Sequence, residues 1–412
     1  MGNDSFLDLD SLFRRSYSKI VAAVLRVLGP NQLDLAEASA QESFLRAVDT
    51  WPTNGRPDEP LSWLIRVAHN YALNEVRKTN RHSLGTPDEL VSSHSSASEI
   101  DDDLKLLFLC CHPALTQESQ LALMLKIGCG FSVAEIARLF LVDENAVAQR
   151  LVRAKRLIRD SEIPFELPDS NRLPEHLETV MNGLYGLFNE GYGATSGDAL
   201  LRRELCSEAI YLTEQLARME IGASAQLSAL LALFYFHVSR IESRVGNYGE
   251  LLTLREQDRA VWRKQDIIKG MVFLREAMNS EALTRFHLEA GIAAAHAMAP
   301  SWEATDWKQI RQYYEWLEAL HPTLVVRTNY VAATLFSEGH KTAQALAQKF
   351  DLMKTMKEYY LTPAILAEIL ISAGDKDKAE EMLLTSLKSV GNEVERTFLK
   401  KKIATIRAAA TK

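Results

Sequence analysis

Turn-forming residues are scarce in this chain: 19 glycines and 12 prolines are spread through 412 residues. Sandwiches and barrels consume such residues at every strand end, so the shortage favours helices joined by short breaks. Apolar spacing agrees. Leu12, Ile20, Val24 and Leu28 recur near helical spacing until Gly29 and Pro30 stop the run. A second helix spans about 34–48, with Ala36, Ala40, Phe44, Ala47 and Val48 as its apolar stripe. A loop by composition follows at 51–57, and a third helix spans about 61–78. The expected class is all-α.

Residues 82–103 differ in character. Pro87, a set of serines and the acidic run Glu99, Asp101, Asp102 and Asp103 leave little to bury, which predicts a flexible acidic linker. Helical pattern resumes over 104–163, and Pro164 and Pro168 then mark a stiff linker at 164–174 that should hold the flanking parts in a fixed relation. From 175 to 412 helical patterns alternate with short Gly, Pro or Asn breaks, as in stacked hairpins. At 363–389, Ala367, Gly374 and Ala379 sit where two antiparallel helices approach closely, and this unit resembles a tetratricopeptide hairpin. The expected organisation is a helical domain at 1–81, the linker at 82–103, a second helical domain at 104–163, the proline linker at 164–174 and a tetratricopeptide-like extension at 175–412.

Charge limits the partners. With 47 basic and 54 acidic residues the net charge is −7, so bulk basicity cannot drive nucleic-acid binding and any such contact needs a local patch. Apolar runs fall short of the ~18 residues of a membrane span. The acidic first residues are unlike a signal peptide, and four irregularly spaced cysteines make no disulfide framework. A cytoplasmic, soluble chain is expected.

One patch stands out. Ser132 can cap a helix with Glu135 as reciprocal partner, Ile136, Ala137 and Leu139 form its inner face, and Val142 lies in the turn that follows. Val147, Leu151, Ala154 and Ile158 then recur at helical spacing. The opposite face carries Asn145, Gln149, Arg153 and Arg156, flanked by Arg150, Lys155 and Arg159, with no acidic residue between 145 and 159. Amides near the start of such a helix suit base edges and arginines further along suit phosphates, as in a helix–turn–helix. A solvated charged helix would show the same pattern.

The stretch Ala36–Phe44, Trp51-Pro52, Trp63–Asn70 and Arg77 resembles region two of extracytoplasmic-function (ECF) sigma factors, and Leu141–Glu144 with Gln149–Arg156 resembles their region four. The resemblance implies that Asp34, Glu37, Gln41 and Glu42 face a clamp helix pair of core RNA polymerase. It implies that Trp63, Arg66, His69, Asn70, Asn74, Arg77 and Lys78 hold the melted −10 strand of promoter DNA, with Trp63 able to stack on an unpaired base or to sit between helices. Asn145, Gln149, Arg150, Arg153, Lys155 and Arg156 would read the −35 element. Phe108–Leu115, Phe188–Tyr192, Gln257–Arg259 and Ala293–Ala297 are similar to the ECF subgroup with a large tetratricopeptide-like extension. Ala38, Asn74 and Leu141 depart from the family pattern.

Other chemistry finds no support. Cys110, Cys111 and His112 lack the spacing of a zinc site, and no P-loop, dinucleotide fingerprint, HExxH or nucleophile elbow is present. The expectation is a non-enzymatic sigma factor with no metal or cofactor, binding core RNA polymerase and promoter DNA, its extension regulating it or holding a protein partner. The alternative is a stand-alone helix–turn–helix regulator with a helical-repeat sensor domain. His237, His287 and His296 are expected as satisfied core histidines.

Overall fold

The computed structural model describes residues 3–81, 99–140, 142–169, 171–193, 201–218, 224–246, 249–280, 282–356 and 359–410. Among these the architecture is all-α, with one isolated antiparallel bridge between Val245 and Leu251. The chain forms two compact units, 1–187 and 188–412.

The first unit contains α1 (Asn3–Leu28), α2 (Leu33–Asn54), α3 (Pro60–Arg81), α4 (Glu99–Cys110), α5 (Gln117–Leu123), α6 (Val133–Phe140), α7 (Glu144–Asp160) and most of α8 (Leu173–Tyr192). Its centre is α1, whose Ile20, Val21, Val24 and Leu25 are fully buried. Small residues bring α2 and α3 against it: Ala36, Ala40, Ala68 and Ala72 are buried, and Phe13 meets Phe44 with ring centroids 4.8 Å apart. Between α5 and α6 the chain makes one π-helical turn, Met124–Gly128. Gly130 follows with φ of 71°, and a Cβ there would lie 2.9 Å from Phe13 Cε1. Only glycine fits both the backbone and the gap.

The acidic run expected in a linker is part of α4 instead. Asp102 and Asp103 are buried, and Arg26 on α1 pairs with Asp102 at 2.8 Å. Residues 99–103 therefore form the first turn of α4 rather than linker. Residues 82–98 of the expected linker lie outside the described residues. At the other expected linker, 164–174, α8 already begins at Leu173, and the contact boundary falls after Leu187, within that helix.

In the second unit α9 (Arg203–Ala217) and α10 (Ala225–Ser239) come first, and Leu227, Leu230, Leu231, Phe234 and Phe236 of α10 are buried. Helical hairpins follow. In Leu361–Ala373 and Lys376–Ser389, Gly374 takes φ of 85° at the turn and Ala367 and Ala379 are both fully buried, as the tetratricopeptide-like spacing predicts. Trp302 packs edge to face on both Trp307 and Phe336, with Trp302 and Trp307 centroids 4.6 Å apart. Among the described residues no helix is long and apolar enough to cross a membrane.

Candidate nucleic-acid interface

The α6–turn–α7 segment is built as its capping residues dictate. Ser132 N–H donates to Glu135 Oε2 at 2.7 Å, and Glu135 N–H donates to Ser132 Oγ at 3.1 Å, a reciprocal capping box. Asp143 caps α7, accepting from Asn145 N–H at 2.8 Å. Val147, Leu151, Ala154 and Ile158 are all buried, so the opposite face is fixed outward. Asn145, Gln149, Arg153 and Arg156 are exposed there, with Arg150 half-buried at the flank. Arg156 also pairs with Asp160 one turn on, at 3.1 Å. Leu141 lies outside the described residues.

Val152 belongs to this face too. It is 65% exposed between Gln149 and Arg153, and apolar contact is how a protein reads a thymine methyl in the major groove. Sequence spacing excludes it from the buried stripe, and that was the available signal.

On α3 the exposed residues Arg66, Asn70, Asn74, Arg77 and Lys78 repeat every three or four positions, giving one row of donors along the helix. Lys78 pairs with Glu75 at 2.6 Å. Two expected members are held inward. The His69 ring nitrogen Nε2 lies 3.0 Å from the Ala23 carbonyl of α1, which ties the side chain to the core. Trp63 is half-buried and packs edge-on to Trp51, with centroids 5.5 Å apart.

On α2, Asp34 and Gln41 are exposed and Glu42 pairs with Arg46 at 2.8 Å. Val48, which spacing assigns to the apolar stripe, is 41% exposed, and Leu45 is 61% exposed. The reason is that Ala40, Phe44 and Ala47 already fill the packed side. The outward face of α2 is therefore apolar as well as acidic.

Glu37 is not on that open face. It is buried, and Lys155 of α7 reaches it: Lys155 Nζ donates to Glu37 Oε2 at 2.7 Å and to Asp34 Oδ1 at 2.8 Å. Burial works against the Lys155 ammonium, but the Glu37 and Asp34 charges and hydrogen bonds outweigh it and hold the pKa above the ordinary lysine value. One cation expected at DNA is thus joined to two carboxylates expected at polymerase.

Residues 12–82 match the family Sigma-70 region 2, and residues 105–158 match Sigma-70, region 4. The chain belongs to the ECF sigma factors. Its extension is helical, and residues 176–278 match a family of unknown function, DUF6596. A relative in Rhizobium meliloti (strain 1021), the uncharacterized protein R00370, is 37% identical over 359 residues, covering 84% of each chain. No solved structure matches.

In this sigma factor the Cys110–His112 stretch packs. Cys110 and Cys111 are buried, Cys111 Sγ lies 3.2 Å from Met124 Sδ, and burial pushes the Cys110 thiol up to about 12. The His112 and His176 rings meet edge to face at 5.0 Å.

Proposed function

We propose that this sigma factor binds core RNA polymerase through the outward face of α2, reads a −35 element with α7 and holds the melted −10 strand along α3, and that its helical extension regulates these steps in cis in the cytoplasm. The observation that carries the reading is the pair of separate, exposed, donor-rich helix faces on α3 and α7, within residues that match region 2 and region 4. A double-stranded reader needs the second face alone; a factor that also melts DNA needs both. The activity is non-enzymatic.

For polymerase docking, Glu42, Leu45 and Val48 offer a mixed acidic and apolar stripe suited to a helical partner with basic flanks. Glu37 joins it only when Lys155 lets go, whereas Asp34, though paired with the same lysine, stays open to solvent. The test is capture of purified core polymerase by the full-length chain. Glu42→Arg with Leu45→Asp should weaken capture at least tenfold at unchanged helix content, since neither side chain supports the core. Capture equal to wild type would place the docking surface elsewhere, and DNA binding without any capture would favour the stand-alone regulator.

A further inference from the structure

Three stretches that mark the extension each send a polar residue to one place in the second unit. At the end of α8, Tyr192 presents its ring to two guanidiniums: Arg244 Cζ is 4.0 Å from the ring centroid and Arg240 Cζ is 5.4 Å from it. The His237 ring lies 4.7 Å from the same ring, and Arg240 Nη2 is 3.4 Å from His237 Nδ1. Arg259 approaches from a short 3₁₀ turn, donating to the His296 and Ala299 carbonyls at 2.7 Å each. Three guanidiniums and two imidazoles are thereby gathered close enough for their charges to act on one another.

The His296 and Ala299 carbonyls account for Arg259 but not for Arg240 and Arg244. Neither Arg240 nor Arg244 makes an ion pair among the described residues, and the opposing charge that Arg244 acts on, Glu395, accepts a hydrogen bond from the Tyr360 hydroxyl instead. Glu303 opposes the charge of Arg259. Arg244 Nη1, the Tyr192 hydroxyl and His296 Nδ1 are buried with no hydrogen-bond partner. Leaving buried polar groups unmet is costly, and two cations against one aromatic ring also repel each other. His296 accordingly loses its proton readily: burial first, then Arg240 and Arg259, bring its pKa down to about 3. Among the described residues, then, no carboxylate comes within ion-pair distance of Arg240 or Arg244.

We propose that this cluster is a binding site for a small anionic ligand, whose phosphate or carboxylate group is held by Arg240 and Arg244 with the Tyr192 hydroxyl as a further donor. The planar guanidinium fork matches either oxyanion, and the buried setting strengthens the charge-assisted bonds. Neutral His237 and His296 each add one N–H without adding charge.

The site is independent of the promoter-binding reading, so each can fail alone. The test is calorimetric titration and thermal unfolding of the full-length protein with sodium phosphate and, separately, sodium succinate, against sodium chloride at equal ionic strength. At least one of the two anions should bind saturably and raise the unfolding midpoint above the chloride control, and which one does so identifies the ligand's charged group. Arg244→Met should weaken that binding at least tenfold, and Tyr192→Phe, which keeps the ring, should weaken it severalfold. If Arg244→Met loses helix content, Tyr192→Phe carries the comparison. Neither anion binding above the chloride control, or equal affinity in the folded variants, would overturn the proposal.

Discussion

Arg153 and Lys155 are two residues apart on α7 and meet different surroundings. Arg153 is exposed beside Gln149 and Val152, with nothing in the fold depending on it. Arg153→Ala should cost ~1–3 kcal/mol in promoter affinity if the side chain takes a base, with relaxed preference at one position, and less if it takes a phosphate. Quantitative gel shifts on matched and single-base-changed promoters distinguish these, and an unchanged affinity with unchanged preference counts against α7 as the reader. Lys155, in contrast, is internal. Its removal strands Glu37, whose second oxygen Oε1 already has no partner, so Lys155→Met should cost about 2–3 kcal/mol, at the low end for a buried pair because Asp34 is open to water. Adding Glu37→Gln should recover most of the loss in chemical denaturation. The sign with pH follows from a folded pKa raised above the unfolded one: the contribution is complete through neutral pH and is lost only as pH climbs past the ordinary lysine range. Loss of this contribution between pH 6 and 8 would contradict the assignment.

At the scale of helices, local rules explain why α6 and α7 form where they do. The capping box at Ser132 and the cap at Asp143 both follow from side-chain chemistry within three residues, and the stripe Val147, Leu151, Ala154 and Ile158 is buried as its spacing requires. Asp143→Ala should therefore lower stability by ~1 kcal/mol through α7 alone, a shift of a few degrees in the unfolding midpoint, while Asp143→Asn should leave it nearly unchanged. The places where spacing misleads are those decided by another element. Val48 lies on the correct arc of α2, but Phe44 and Ala47 exhaust the packing surface. His69 reads as a DNA donor until α1 offers the Ala23 carbonyl. Asp102 reads as linker until Arg26 supplies a counter-charge. Glu37 reads as a solvent-facing carboxylate because no local pattern reports a lysine 118 positions away. His287 meets the expectation of a satisfied histidine, bonded to the Thr284 hydroxyl at 2.8 Å and the Ala277 carbonyl at 3.1 Å, whereas His296 keeps an unmet Nδ1.

For the whole molecule, all-helical character was legible from few glycines and apolar period, and the convergence of Tyr192, Arg259 and His296 was not, because it depends on how hairpins stack. The packing of α8 also changes how the extension should be removed. Gly183 sits against Met124 and Cys111, where a Cβ would come within 2.8 Å of Met124 Sδ, so the first half of α8 belongs with residues 1–187. Cutting after Pro168 would open that core. A chain of residues 1–187 is the better comparison, and altered promoter-specific output relative to full length would support regulation in cis, while equal output would leave the extension as a docking site for another protein. The central claim is that this chain directs polymerase to start transcription. Its most direct measurement is run-off transcription from fragmented genomic DNA of the source organism, with core polymerase alone and with the full-length protein added. Discrete start sites that appear only with the protein, each preceded by a shared pair of sequence elements, are the predicted result. Transcripts identical with and without the protein, while it binds the same DNA in the absence of polymerase, would contradict it.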